Sequence, residues 1–357
     1  MKSITFLMPP FVYSPVGGFK IVLEYANRLA KDGYEVHIVY ADSIKYVKVP
    51  WKLMLKLQLK ALLFRIGLLK RSIKIWFPID NRIREHNVYS LAYSEVPKTD
   101  VYVCTAVNTA KWLKSYPIDA VKKRYFIQDY EIWGRTEQEV RATYRYDMKK
   151  IVIAKWLLDI VLEESDDCCL VPNGFNNEEF YITKPIVEKD KYCVLMLYHW
   201  SERKGCKTSF AALNLVKQRF PQLRVILFGT PECPPNLPDW YKYYQSPSKK
   251  EHLRINNEGA IYVAASIEEG WGLTIGEAML CGQAVACTDV AGFQEMAKNN
   301  ENALLSPVGD VQALANNIIR LIEEDEFRFK IAQCGFKSIQ NMSIDKTYEL
   351  FKNAVLD

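Results

Sequence analysis

Short apolar, β-branched runs alternate with stretches of helical spacing along this chain, and that alternation leaves few folds open to it. Residues 4–8 are apolar and stop at Pro9-Pro10, as a buried strand does. After Gly17-Gly18, the apolar Phe19, Val22, Leu23, Ala26, Leu29 and Ala30 share one helical face that Gly33 closes. Residues 34–40 are the next apolar run. Strand, glycine turn, helix and strand make a parallel βαβ unit, because parallel strands need a crossover. The pattern recurs with strands at 101–104, 125–128, 151–154 and 169–171, a helix leading to Tyr116 and another over 155–164. It restarts beyond the polar stretch 176–191, with strands at 192–198, 223–228, 260–264 and 284–287 and helices over 207–219, 273–280 and 311–324. The sequence therefore predicts an α/β protein of two doubly wound, Rossmann-like domains, 1–171 and 172–341, joined near 172–190. A C-terminal helix at 342–357 is expected to pack back on the first domain. Ligands of such sheets sit beyond the carboxyl ends of the strands, so the expected site is a central cleft that both domains face.

At 357 residues the chain can bury two cores, and 49% hydrophobic with 25% charged residues excludes disorder. A net charge of +5 argues for no polyanionic partner unless it is concentrated. It is concentrated: between Ser43 and Ile79 stand nine Lys or Arg and no acidic residue. Within 50–74, Lys52, Lys56 and Lys60 recur every four residues, while Trp51, Leu55, Leu59, Leu62, Ile66 and Leu69 form an apolar stripe. A basic, Trp-anchored helix suits an anionic bilayer surface, which would give a peripheral membrane contact. The alternative is a surface helix whose stripe packs on the first domain while its lysines are solvated. No nucleic-acid-binding motif surrounds the patch, so nucleic acid is not an expected partner. The nine cysteines are scattered without any Cys-x-x-Cys and read as small buried hydrophobes of a reducing compartment. The start of the chain turns to Pro-Pro too soon for a signal-peptide core, and no apolar run approaches the roughly 18 residues of a membrane span. The expected location is cytoplasmic, at the inner face of the membrane if the basic segment engages it.

The most informative stretch runs from Ser266 to Gly282, where Glu269 and Glu277 are separated by seven residues and Trp271 lies between Gly270 and Gly272. Glu269 ends the loop after the strand at 260–264, and Glu277 lies about one turn into the next helix. Gly270 and Gly272 let backbone N–H groups approach an anion, and the helix start at Leu273 and Thr274 adds positive dipole. A carboxylate on either side can accept hydrogen bonds from hydroxyl groups. The bare alternative is an acidic helix cap with no ligand.

This stretch resembles the signature of retaining glycosyltransferase family 4, whose fold is GT-B. The resemblance implies a retaining, metal-independent transferase that moves a sugar from a nucleotide-diphosphate donor to a glycan or lipid-linked glycan acceptor in polysaccharide biosynthesis. It implies Glu269 at the donor sugar and Glu277 at the ribose. Gly17-Gly18 matches the family's N-terminal glycine loop at the distal phosphate, and Val171-Pro-Asn-Gly-Phe-Asn176 matches the segment that opens the second lobe. Tyr198 to Gly205 stands where the family has Gly-Arg, four residues and Lys-Gly, whose cations neutralise the leaving diphosphate. Lys204 and Gly205 match, but the arginine position is His199 and the preceding glycine is Tyr198. Either Arg203 supplies the second cation beside Lys204, or His199 donates a weaker, pH-sensitive contact. Residues 125–133 stand where the family has strand-His-Asp; the histidine is Gln128 here and Asp129 is kept. Gln-Asp-Tyr-Glu is similar to a variant among transferases that build bacterial surface polysaccharides. Gln128 cannot act as a base, so no base mechanism can rest on that histidine. Gln128 is expected at the donor and Asp129 among the catalytic residues with Glu269, Lys204 and Arg203; the alternative for Asp129 is a charged loop residue. No two aspartates stand two apart and no His/Cys/Asp cluster has zinc spacing, so neither metal nor other cofactor is expected. Two other readings stay open: a sugar-nucleotide epimerase or phosphorylase on the same frame, and a non-catalytic partner in glycan assembly.

Overall fold

The computed structural model describes residues 2–43 and 51–357. They form two compact units, Met1–Pro172 with Thr347–Asp357, and Asn173–Lys346. The first unit runs β1 (Ser3–Met8), α1 (Gly17–Lys31), β2 (Glu35–Ser43), α2 (Trp51–Arg65), β3 (Arg84–Ser90), β4 (Val101–Cys104), α3 (Val107–Lys114), β5 (Lys123–Ile127), α4 (Glu137–Tyr144), β6 (Lys149–Val152), α5 (Lys155–Leu162) and β7 (Cys168–Leu170). Its parallel sheet has the order β3-β2-β1-β4-β5-β6-β7. The order reverses between β1 and β4, so the loops after these two strands diverge and open a crevice at their carboxyl ends. One of those loops leads into Gly17 and the other into Val107.

The second unit runs β8 (Asp190–Leu197), α6 (Cys206–Arg219), β9 (Arg224–Gly229), β10 (Tyr241–Gln245), α7 (Lys249–Glu258), β11 (Gly259–Ala264), α8 (Leu273–Leu280), β12 (Ala284–Thr288), α9 (Ala291–Gln294), β13 (Leu304–Ser306), α10 (Val311–Glu323) and α11 (Asp325–Gln340). Its sheet order is β10-β9-β8-β11-β12-β13, again parallel. The reversal falls between β8 and β11. Their central residues are fully covered, Val194 and Leu195 on one and Ile261 and Tyr262 on the other. Such a continuous apolar run is what a strand covered on both faces requires.

The last helix, α12 (Ile344–Leu356), ends in the first unit. Phe351 stacks on Tyr25 with ring centroids 4.2 Å apart and also meets Phe6 and Phe126. Tyr348 and Lys352 both reach Asp32 at the end of α1.

Several elements escape the apolar periodicity. The edge strands β3 (REHNVYS) and β10 (YKYYQ) are polar because only one of their flanks is paired, and α7 has almost no apolar face. The helix expected within 50–74 ends at Arg65: Gly67 takes a φ of 77° just beyond α2. On α2 the stripe Trp51, Leu55, Leu59, Leu62 and Ile66 is exposed, 64% for Trp51, and Leu69 continues it. Among the described residues this overturns the packed-stripe alternative. The face carrying Met54, Leu57, Ala61 and Phe64 is the half-buried one. Lys45, Lys48 and Pro50, which belong to the basic segment, lie outside the described residues. No helix among the described residues is long and apolar enough to cross a membrane. All nine cysteines are free thiols; five are buried and Cys233 is exposed.

Candidate functional site

In the second unit the candidate residues sit on the two loops that diverge at the β8/β11 reversal. Beyond β8 the chain makes one short turn, Glu202–Lys204, and reverses at Gly205 with φ 58°. A methyl group there would overlap the carbonyl oxygen of Ala265, so this close approach of the two loops requires glycine. The peptide of Ile267 donates to Arg203 O at 2.7 Å and stitches the loops together. Lys204 Nζ then lies 2.6 Å from Glu269 Oε1, which also accepts the Ser266 hydroxyl at 2.7 Å. Arg203 Nε donates to Glu268 Oε2 at 2.9 Å, on the neighbouring, more exposed pair.

Past Trp271 the backbone reaches Gly272 with φ 102°, the N-cap of α8, and no side chain caps the helix. Leu273 and Thr274 therefore begin α8 with N–H groups that have no partner inside the helix, beside its positive dipole end. Glu277 lies in the second turn and is buried. Gly276 before it admits the ring of Phe175, which a methyl would overlap. That contact fastens the segment entering the second unit to α8. Gly292 in α9 lies so close to the Glu269 carbonyl that it also has no room for a side chain. The Glu269 loop is thus held by the loop after β8 and by α9, and Gly270 lies within it.

His199 is half-buried. Its Nδ1 accepts the Ser201 N–H at 3.0 Å, which leaves Nε2 carrying the proton. Burial and then the Lys204 charge hold its pKa below the ordinary histidine value. His199 is therefore neutral at neutral pH and offers one N–H. The cations of this loop are Arg203 and Lys204.

In the first unit Gly17 and Gly18 are the first residues of α1, which has neither a side-chain cap nor an acidic residue in its first turn. A methyl at Gly18 would stand 3.4 Å from Gln128 Nε2, so the helix start and the end of β5 face each other. Gln128 Oε1 is buried without a hydrogen-bond partner among the described residues. Asp129 Oδ1 accepts the N–H of Tyr130 at 2.9 Å.

Two residues escaped sequence reasoning. Ser266, three residues ahead of Glu269, orients that carboxylate. Glu131, inside the Gln-Asp-Tyr-Glu run, accepts the Val107 N–H at 3.1 Å at the start of α3, with Arg135 3.8 Å away. Burial raises its pKa to about 7, against the lowering by Val107 and Arg135. A carboxyl whose folded pKa is raised contributes stability that is present below its ordinary pKa and lost as pH rises to about 7. Glu131→Gln removes that loss, so its melting temperature relative to the native chain should climb between about pH 5 and pH 8. A difference that stays constant across that range would contradict the buried-carboxyl assignment. Among the described residues no three His, Cys, Asp or Glu gather as a metal-binding cluster.

Residues 177–338 match the family model described as glycosyl transferases group 1. That match covers most of the second unit. Among curated relatives, the phosphatidyl-myo-inositol mannosyltransferase of Mycolicibacterium smegmatis is 24% identical over 185 residues, 49% of this chain and 47% of that one. The chain spans about half the length of the curated relatives it matches. Solved structures match over almost the whole chain. Sucrose-phosphate synthase from Thermosynechococcus elongatus has a TM-score of 0.71 at 18% identity, covering 99% of this chain and 98% of that one. Anabaena HepE in complex with UDP-glucose has a TM-score of 0.70 at 16% identity, covering 99% of each. The chain thus shares their fold, the GT-B fold of two parallel-sheet α/β domains. Within the matched residues, Glu269, Glu277, Arg203 and Lys204 lie on loops and a helix at the β8/β11 reversal.

Proposed function

We propose that this protein is a retaining glycosyltransferase that needs no metal and moves a sugar from a nucleoside-diphosphate donor to a glycan or lipid-linked acceptor. One observation carries the reading: at the β8/β11 reversal an ammonium, a carboxylate and an uncapped helix start occur together, on Lys204, Glu269 and Leu273–Thr274. A leaving diphosphate needs fixed positive charge, which Lys204, Arg203 and the α8 amides supply without reorganising water. An ammonium has three donors, so Lys204 can keep Glu269 in place and still bind a phosphate oxygen. Glu269 receives a donor-sugar hydroxyl and Glu277 a ribose hydroxyl. Neutral His199 adds a hydrogen bond without charge. The glycines at the start of α1, with Gln128 and Asp129, serve the distal phosphate and the acceptor.

In the reaction the acceptor oxygen bonds to the anomeric carbon on the face the diphosphate leaves. The breaking C–O bond gives its electron pair to the phosphate oxygen, and that oxygen takes the acceptor proton. Cytoplasmic residence belongs to the same proposal, and so does peripheral membrane contact, which the exposed stripe of α2 beside the exposed Lys52 and Lys56 supports.

HepE was solved with UDP-glucose, so UDP and UDP-sugars are the first probes. A thermal-shift series over nucleoside diphosphates in EDTA should show one stabilising base, and NMR of the product should show the donor's anomeric configuration kept. An inverted product would reject retention, and abolition of binding by EDTA would reject metal independence. No stabilisation by any nucleotide would favour a non-catalytic role. Pelleting with phosphatidylglycerol vesicles, reduced by Leu55→Glu, tests the membrane contact.

A further inference from the structure

Beneath α2 the first unit holds a cavity of about 1120 Å³. Its walls come from α2 and the turn after it, from β3, and from Phe11 and Tyr13 in the loop that leads to Gly17. Two properties of the wall point to the same kind of ligand.

The first is Arg71. Its side chain is 6% exposed. Nε donates to Asn87 at 2.6 Å and Nη1 to Asp42 at 3.2 Å, while Nη2 is buried with no partner among the described residues. The guanidinium carbon lies 4.8 Å from the Phe11 ring centroid and 4.7 Å from that of Phe64, which hold the group in one orientation. A buried guanidinium nitrogen without an acceptor is costly, and an anionic oxygen would relieve that cost. The two carboxylates in the wall do not compete for the ligand. Glu85 accepts the Ser72 hydroxyl and the Ile73 N–H, and Glu95 accepts the Ser90 hydroxyl with the N–H groups of Tyr89 and Ser90. His86, also in the wall, is bonded to His37, and burial lowers its pKa to about 4, so it is neutral.

The second property is apolar continuity. Leu62 and Leu69 line the cavity and also belong to the exposed stripe of α2. A hydrocarbon chain on that stripe would reach the cavity wall without crossing polar surface.

We propose that this cavity is a binding site for a phosphate-headed amphiphile, with the phosphate at Arg71 and the chain along Leu62 and Leu69. The site deepens the proposed transfer to a lipid-linked acceptor and rests on that reading for its role, though not for its binding. Phosphate-headed amphiphiles come from two sources, the bulk lipid of the bilayer and an isoprenoid carrier.

Calorimetry with farnesyl diphosphate and with short-chain dihexanoyl phosphatidylglycerol, both below aggregation, distinguishes them. The tighter of the two identifies the source, and neither binding would overturn the site. Inorganic pyrophosphate or decyl glucoside binding as tightly would also overturn it, since either lacks half of the ligand. Arg71→Gln should weaken binding about tenfold or more, the loss expected for a hydrogen bond between charged partners. Because Arg71 also holds Asp42 and Asn87, Ala61→Trp is the second variant; it fills the cavity from α2 and leaves that network intact. Unchanged binding in Ala61→Trp would place the ligand elsewhere and reject the proposal. UDP binding, measured in parallel, should survive both substitutions. Loss of UDP binding in the native chain would count against the transferase reading alone.

Discussion

Replacing Glu269 by glutamine is expected to lower the transfer rate about 100- to 1000-fold, the size of effect seen when one preorganised polar group is removed from a transition-state site. The substitution keeps the shape of the side chain and an oxygen for the Ser266 hydroxyl. It removes the charge that holds Lys204 at 2.6 Å and that strengthens a hydrogen bond from a donor hydroxyl. Folding should barely notice. The Lys204 and Glu269 side chains are 31% and 12% exposed, so solvent screens the pair, and its loss should cost no more than about 1 kcal/mol. Turnover and melting temperature measured on the same preparation separate the two effects. A variant with native turnover would remove Glu269 from the site, and one that loses turnover together with its fold would make the pair structural.

That Glu269 and Lys204 meet is a matter of topology. They stand 65 positions apart, yet β8 and β11 are adjacent strands, so the loops leaving their carboxyl ends begin side by side before they diverge around the crevice. Buried strands are legible because both faces are covered, as in Cys193–Met196 or Ala284–Cys287. The edge strand Arg84–Ser90 is not, since a polar run at a sheet edge has no pattern that distinguishes it from a loop. The helix Glu137–Tyr144 left a readable signal, the Thr136–Glu139 capping box. Glu131 left none. Its raised pKa comes from the tertiary packing around it, and a charged residue in a polar run gives no hint of that. The sequence also carried the apolar stripe of α2 but not its direction. The direction depends on which face β3 covers, and β3 was itself invisible.

Gly205→Ala should be the most damaging single-methyl change in the second unit. The residue has φ 58°, where a side chain costs about 1–2 kcal/mol in any surroundings. Here the methyl would also overlap the Ala265 carbonyl oxygen, which is backbone in the loop after β11 and cannot turn aside as a side chain can. One of the two loops has to move, and the Ile267–Arg203 bond at 2.7 Å and the Lys204–Glu269 pair move with it. The combined loss should exceed about 3 kcal/mol, a drop in melting temperature of roughly 6 °C or more for a unit of this size. Gly33→Ala is the matched control. It too is left-handed, with φ 91°, but a methyl there meets nothing within 4 Å, so only the conformational cost of about 1–2 kcal/mol remains. Urea denaturation of the two variants would separate the clash from the torsional cost. Equal losses would mean that the β8 and β11 loops do not approach as closely as Gly205 and Ala265 do here, and Lys204 would then lose the support that holds it at Glu269.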